Sequence, residues 1–150
     1  MHSSTPTTPT TPEERIRVLV ASKDQAYARG LAEALSLRGL NATSWELPRS
    51  NANGDAAQPT SDVLVVESDE LSDAEWAFIE EVRERSPMIE ILAISSDPLI
   101  ESAVQALRIG LFAVLTYPLS DLQLLDAIRA AYDRKQRGEL RLEAIDRTTR

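Results

Sequence analysis

The chain has 150 residues, with 16 basic and 24 acidic side chains and a formal net charge of -8 at pH 7. This length suits one domain, and the acidic balance argues against general nucleic-acid binding, which needs a basic surface. The absence of cysteine excludes disulfides and thiolate metal sites. No apolar run approaches the roughly 20 residues of a membrane span, and the N-terminus lacks a signal-peptide pattern, so we expect a cytoplasmic protein.

The chain begins with a polar tail, and five predicted strands follow. Residues 1–15 are rich in threonine and proline and nearly free of large apolar side chains, which predicts disorder. The predicted strands are Ile16–Ala21, Asn41–Leu47, Val63–Val66, Ile91–Ile94 and Phe112–Leu115. Four of these runs are almost continuously apolar, as in parallel strands covered on both faces, whereas Asn41–Leu47 is polar enough for a sheet edge.

Helical patterns alternate with these strands. The apolar faces expected for four helices are, in chain order, Tyr27, Leu31, Ala34 and Leu35; Trp76, Ile79 and Val82; Ile100, Ala103, Val104 and Leu107; and Leu125, Ile128 and Tyr132. Capping boxes at 72–75 and 120–123 open the second and the fourth of these helices. Asp97-Pro98 opens the third, and Gly39 and Gly110 end the first and the third.

The alternation has one gap and a polar ending. Pro48–Ser61 has only three alanines as apolar residues, so the helix expected there is shortened or missing. The pattern over residues 16–135 predicts an α/β domain with a doubly wound parallel sheet and a site at the carboxyl ends of its strands. Gly138 is expected to interrupt the last helix. The extension over residues 136–150 is then a solvated tail, or a short signalling helix that docks on a partner or a second copy.

The residues at the predicted carboxyl ends carry a family resemblance. They are Ser22-Lys23-Asp24, Glu67, Ser95-Ser96 and Tyr117-Pro118. Their spacing, with the segments Asp62–Glu67 and Gly110–Pro118, resembles the receiver domains of bacterial two-component response regulators. The resemblance implies a flavodoxin-like receiver fold with five strands in the order 2-1-3-4-5. It also implies a phosphoacceptor position at Glu67 and a cis peptide before Pro118.

The chemistry departs from that family at almost every position. The family holds magnesium with an acidic pair, phosphorylates an aspartate and pairs a lysine with the phosphate. Here those positions are Ser22 and Lys23, Glu67, and Tyr117, and only Ser95 remains of the usual set. Magnesium prefers hard oxygen ligands, so we expect weak or absent magnesium binding, no other cofactor and no phosphorylation.

Three further observations near this pocket also indicate a degenerate receiver, or pseudo-receiver. Asp24 stands on a strand-to-helix turn and should point away from the pocket. The family's aromatic switch position is Val114, which cannot make the ring movement of an aromatic residue. Lys23 and Glu67 are expected to form an ion pair that holds the domain in one conformation. The alternative is that a pocket without phosphorylation chemistry accepted these residues by neutral change, with no role for the pair.

The resemblance also implies a surface for a protein partner, in a non-enzymatic interaction module of bacterial signalling. In the family this face joins a helix, a strand and a helix, which here are Leu99–Ile109, Leu111–Tyr117 and Leu122–Ala131. Leu111, Tyr117 and Leu119 are the expected exposed residues. A homodimer is compatible with this surface.

Two other functions remain open from the sequence. A receiver could still be phosphorylated at an unconventional residue, Asp24 or Asp69. The doubly wound scaffold could also serve an enzyme or a small-ligand binder, because a fold does not fix a function. Against the latter, no glycine-rich phosphate loop follows the first strand, the only histidine is His2, and no metal-ligand cluster is visible.

Overall fold

The structure is a computed structural model that describes residues 16–47, 61–69, 71–96 and 100–148; for residues 100–102 and 140–148 it describes the backbone alone. The predicted disordered tail over residues 1–15, nearly all of the segment expected to lack a helix and the predicted helix start at Asp97-Pro98 lie outside these ranges.

Five strands and four helices alternate along the described residues. The strands are β1 (Arg17–Ser22), β2 (Asn41–Glu46), β3 (Val63–Ser68), β4 (Glu90–Ser95) and β5 (Ala113–Thr116). The helices are α1 (Gln25–Leu37), α2 (Asp73–Arg85), α3 (Ile100–Ile109) and α4 (Asp121–Thr148). All neighbouring strands are parallel, and their order in the sheet is β2-β1-β3-β4-β5. The predicted doubly wound, flavodoxin-like arrangement is therefore confirmed.

The sheet separates two apolar cores, because alternate residues of a strand face opposite sides. Val20 and Val65 face one core, which α1 and α4 complete. Ala21 and Val66 face the other, which α2 and α3 complete. The central strands β3 and β4 are buried along their whole length, as their continuous apolar runs predicted.

The predicted apolar face of α3 is wrong. Val104 and Leu107 are exposed, and it is Ala106 that is buried against the α2 and α3 side of the sheet. The helix carries apolar residues on more than one side, so the i, i+3, i+4 pattern fits two faces. Gly110 ends α3 with a positive φ of 89°, as predicted.

The predicted interruption at Gly138 is also wrong, because α4 continues without a break to Thr148. A Cβ at Gly138 would lie 3.1 Å from the terminal methyl of Met88. The missing side chain therefore lets the helix pass close to the end of the α2–β4 connection. The helix therefore continues through Gly138 despite the modest cost of about 1 kcal/mol that glycine brings to a helix interior.

Ion pairs fasten α4 to the amino edge of the sheet. Arg134 donates two hydrogen bonds to the carboxylate of Glu90, at 2.7 Å and 2.6 Å, and its guanidinium lies 4.9 Å from the ring centroid of Phe112. Lys135 Nζ lies 3.3 Å from Asp62 Oδ1. Glu90 and Asp62 are both buried, so these contacts fix the helix at the point where β3 and β4 begin. Within the described residues, no helix is both long and apolar enough to cross a membrane.

Candidate functional site

The strand register brings Ser22 and Glu67 together at the carboxyl edge of the sheet. Ser22 ends β1 and is paired with Glu67, the fifth residue of β3. The two side chains lie on the same side of the sheet as Val20 and Val65, because each stands two residues further along its strand. The polar residues that follow the apolar runs of β1 and β3 in the sequence therefore lie together in one pocket.

Both carboxylate oxygens of Glu67 are occupied by hydroxyl groups of the chain. The Ser22 hydroxyl donates to Oε1 at 2.6 Å, and the Tyr117 hydroxyl lies 3.1 Å from Oε2. Glu67 is only 8% exposed. A buried carboxylate requires such donors, since burial of an unpaired charge is costly. The phosphoacceptor position of the resemblance thus holds a glutamate that is bound within its own domain.

Two tyrosines continue this hydrogen-bonded chain. The phenol oxygens of Tyr117 and Tyr27 are 2.7 Å apart, and the rings meet edge to face. The Tyr117 hydroxyl is the donor, and it lies within hydrogen-bond distance of both the Tyr27 oxygen and Glu67 Oε2, of which the carboxylate is the stronger acceptor. The network Ser22–Glu67–Tyr117–Tyr27, called the hydroxyl clamp below, joins β1, β3, the segment after β5 and α1.

The environment of the hydroxyl clamp keeps both phenols protonated. Burial raises the pKa of Tyr117 well above its ordinary value, and the hydrogen bond to Tyr27 and the charge of Glu67 act in the same direction. Burial also raises the pKa of Tyr27, although its hydrogen bond with Tyr117 opposes the shift. Both hydroxyls therefore remain donors at neutral pH.

The predicted Lys23–Glu67 ion pair is wrong. Lys23 Nζ lies 3.3 Å from Oε2 of Glu75, near the start of α2. Ser22 and Lys23 are consecutive strand-end residues that face opposite sides of the sheet, so the serine reaches Glu67 while the lysine reaches α2.

Glu75 is the acidic partner that the sequence analysis assigned only to helix capping. Its Oε1 accepts hydrogen bonds from the backbone amide and the hydroxyl of Ser72, at 2.7 Å and 2.9 Å, which confirms the predicted capping box. Burial favours the neutral acid and is the largest influence on the pKa of Glu75. The hydrogen bonds from Ser72 and Ser68 and the charge of Lys23 outweigh it, so the pKa is lowered and the carboxylate is charged.

The remaining predicted pocket residues have structural partners of their own. Asp24 caps α1 by accepting a hydrogen bond from the Tyr27 amide, and it lines the same cavity as Glu67. Ser95 donates to the backbone carbonyl of Asp69 at 3.0 Å. Val114 packs against the core on the α2 and α3 side. The peptide before Pro118 is cis, as the resemblance implied.

Sequence reasoning missed two members of this site, Tyr27 and Glu75. Tyr27 was assigned to an apolar helix face, and its ring does pack against the core. Its position three residues after the Asp24 cap places the hydroxyl at the carboxyl edge of the sheet, which was the available signal. Glu75 was recognised in its cap, but its second oxygen was not considered as a partner for a lysine.

A small cavity of about 250 Å³ opens beside the hydroxyl clamp. It is lined by Ser22, Lys23, Asp24, Glu67, Ser68 and Asp69. Drug-sized ligands usually occupy larger and more apolar pockets. Over the ranges for which side chains are described, no three His, Cys, Asp or Glu residues form a group that could hold a metal ion.

One residue predicted to be exposed on the candidate interaction face, Leu111, is buried. Leu111 is 8% exposed and belongs to the core on the α2 and α3 side, because it follows the turn at Gly110 directly into the sheet. Tyr117 and Leu119 are half-buried against the opposite core. The exposed large apolar side chains on the elements of this face are Val104, Leu107 and Leu122.

Comparison with solved structures identifies the fold. A CheY-like receiver domain protein from Methanospirillum hungatei aligns with a TM-score of 0.71 at 16% identity, over 82% of this chain and 98% of that one. A pilus assembly-related protein from Burkholderia pseudomallei aligns with a TM-score of 0.66 at 26% identity, over 84% and 96%. An orphan response regulator of H. pylori aligns with a TM-score of 0.63 at 22% identity, over 78% and 96%.

No protein-family model matches the sequence, and no curated protein sequence matches it. The structural likeness shows that the chain has the receiver fold. Function must be argued from the pocket and the surface.

Proposed function

We propose that this protein is a pseudo-receiver, a cytoplasmic, non-enzymatic module that binds a signalling protein without being phosphorylated. The observation that carries the proposal is the state of Glu67. Its two carboxylate oxygens are bound by Ser22 and Tyr117 inside the domain. A carboxylate nucleophile must have an oxygen free and correctly placed for in-line attack. Glu67 offers neither. Its carboxylate, held by the hydroxyl clamp, instead provides a fixed negative charge at the position where the family carries a phosphoryl group.

The side chains around Glu67 fit a magnesium ion poorly. Magnesium requires several hard oxygen ligands in a tight octahedron. The position beside Glu67 on β1 holds the hydroxyl of Ser22, and the next residue is the cation Lys23. The Asp24 carboxylate is already used to cap α1. We therefore assign no magnesium-dependent step to this domain.

Phosphorylation is tested directly by intact-mass measurement after incubation with a small phosphodonor and magnesium. We expect no gain of a phosphoryl group, because the three acidic residues that line the cavity already accept hydrogen bonds within the domain: Glu67 from Ser22 and Tyr117, Asp24 from the Tyr27 amide, and Asp69 from the Ser96 hydroxyl. A gain of one phosphoryl group would contradict the proposal. Mapping it to Asp24 or Asp69 would then establish an unconventional receiver.

The partner surface proposed here uses the exposed residues of α3 and the start of α4. Leu107 is 82% exposed, and Val104 and Leu122 are also exposed. Aliphatic side chains on a helix surface contribute binding energy when a partner removes them from water, at about 25 cal/mol per Å² of apolar area. The chemistry favours a protein partner with an apolar patch at its centre.

Substitution of Leu107 tests this surface. We expect Leu107→Asp to weaken capture of the cognate signalling partner at least tenfold, and to leave the melting temperature unchanged because the side chain lies in water. Leu37→Asp is the matched control, since Leu37 is 84% exposed but ends α1 at another part of the surface. Quantitative mass spectrometry after in-cell crosslinking compares the two variants. Equal capture by both, or equal loss in both, would exclude Leu107 from the interface.

A further inference from the structure

Helix α1 turns one face directly away from its own domain. The residues that bury the opposite face are Ala28, Leu31, Ala32 and Leu35. The residues that point away from the sheet are all exposed and are spaced by four, three and four along the helix: Ala26, Gly30, Glu33 and Leu37. Residues with these spacings are neighbours on one side of a helix. We call this side the outer face of α1. A second helix laid along it would lie in solvent, outside the volume of the domain.

Gly30, in the middle of this face, has no role that the domain itself requires. A Cβ built at Gly30 would meet no atom within 4 Å, whereas a Cβ at Gly138 would lie 3.1 Å from Met88. Glycine in a helix interior is less stable than a residue with a side chain. The open space at Gly30 is therefore available to a group from outside the domain.

The rest of the outer face carries a large apolar side chain and charges of both signs. Leu37 is 84% exposed at the end of α1. Arg29 and Glu33, four residues apart on one flank of the face, are also exposed. Neither forms an ion pair with any residue that the structure describes. One exposed leucine is ordinary on a protein surface, but here it lies in line with the open glycine and beside two unpaired charges.

We propose that two copies of this chain associate through the outer faces of α1, as an antiparallel helix pair. The two-fold axis passes between residues 31 and 32. In this register Leu37 of one copy packs on Ala26 of the other, and the Glu33 side chain crosses the open space at Gly30. Each layer thus sets a larger side chain against a small one, as close packing requires. The face is complementary to itself, which is the condition for an interface between two identical copies.

The charges favour a second copy in the antiparallel orientation. In the proposed register Arg29 of one copy lies beside Glu33 of the other, and the two-fold axis repeats this opposite-charge contact. A parallel pair in register would place Glu33 against Glu33 and leave the space at Gly30 empty. Exposed ion pairs add little to stability, so these charges set the register and the orientation more than the strength of the dimer.

The proposed dimer is weak and independent of the partner surface. One helix of 13 residues from each copy buries less than the roughly 1,200 Å² of a stable interface, so the association depends on concentration. The proposed partner surface lies on α3 and the start of α4. Failure of the dimer would therefore leave the proposed function untouched, and the reverse also holds.

Sedimentation velocity over a concentration series of the full chain tests the association. We expect a reversible monomer–dimer equilibrium in which Leu37→Asp raises the dissociation constant at least tenfold. Leu107→Asp, the same change on α3, should leave that constant nearly unchanged. A monomer at every concentration, or equal weakening by both substitutions, would overturn the proposal. Loss of partner capture in Leu37→Asp without any dimer would assign the outer face to another protein instead.

Substitution of Gly30 separates loss of the interface from damage to the fold. Gly30→Gln fills the space that Glu33 of the second copy would cross, so we expect it to weaken the dimer at least tenfold. Glutamine is a better helix former than glycine, so the melting temperature at a concentration where the protein is monomeric should not fall. A dimer that accepts Gly30→Gln unchanged would contradict the proposed packing.

Mixing charge variants tests which residues face each other. Arg29→Glu and Glu33→Arg should each weaken the dimer, because both repeated contacts then join like charges. An equimolar mixture of the two proteins should associate again, since both contacts of the mixed pair are opposite in charge. A mixture that associates no better than either variant alone would refute the register.

Disulfide formation tests the orientation, because the chain has no cysteine of its own. Under oxidation, a mixture of Ala26→Cys and Leu37→Cys proteins should give a disulfide between the two variants. In the antiparallel pair, equal positions of the two copies lie about 16 Å apart along the helix, beyond the roughly 7 Å that a disulfide can span. Disulfides between identical variants in place of the mixed one would refute the antiparallel pair.

Discussion

Replacement of Ser22 with alanine is expected to lower the free energy of unfolding by about 2 kcal/mol, the scale of a hydrogen bond to a charged group. The Ser22 hydroxyl lies 2.6 Å from Glu67 Oε1, and both residues are buried. Its removal leaves that oxygen of a nearly buried carboxylate without its donor. Urea unfolding measures the loss.

Ser95 provides a matched control for this prediction. It is as buried as Ser22, at 1% exposure, and ends β4, on the other side of β3, but its hydroxyl donates to the neutral backbone carbonyl of Asp69. We expect Ser95→Ala to cost about 1 kcal/mol, the scale of a neutral hydrogen bond. The cost of Ser22→Ala should also shrink in a Glu67→Gln background. Equal losses of unfolding free energy at the two serines, or the same cost of Ser22→Ala in the Glu67→Gln background, would mean that Ser22 does not stabilise the domain through the charge of Glu67.

Replacement of Arg134 with alanine is expected to lower the free energy of unfolding by about 2 to 3 kcal/mol, because it leaves the buried carboxylate of Glu90 without its partner. The arginine side chain is 43% exposed, so water reduces the cost below that of a fully buried pair. The variant also loses the contact with the Phe112 ring, worth about 0.5 to 1 kcal/mol.

A second substitution separates the charge effect from the packing effect. In the double variant Arg134→Ala/Glu90→Gln no buried charge remains unpaired, so part of the stability should return relative to Arg134→Ala alone. Thermal and urea unfolding of the four proteins completes the cycle. A double variant less stable than Arg134→Ala alone would show that the arginine does not act through the charge of Glu90.

The sequence predicted the fold well because the strands are buried on both faces. Runs such as Val63–Val66 and Ile91–Ile94 lie on the central strands and allow only one interpretation at that length. The face of α3 could not be assigned in the same way. A helix with apolar residues on two sides leaves the choice of the buried face to tertiary packing, and in the structure the face with Ala106 is the buried one.

The site was only partly predictable for a related reason. The residues at the strand ends follow from the alternation of the fold, so Ser22 and Glu67 could be placed in one pocket. Which atoms pair depends on side-chain direction and on competitors from other elements. Lys23 forms its ion pair with Glu75 on α2, and the Tyr117 hydroxyl contacts both Glu67 and Tyr27. Glu75 and Tyr27 each have an independent role, in capping or in the core, and that role hid their contacts in the pocket.

The occupied carboxylate of Glu67 has a consequence for timing. A phosphoryl group is added by one enzyme and removed by hydrolysis, so a phosphorylated receiver has a lifetime. The negative charge at Glu67 is encoded in the gene and has no decay. Under the proposed function, the strength and duration of the output are therefore set by synthesis, degradation and copy number of the protein, in place of a kinase and a phosphatase.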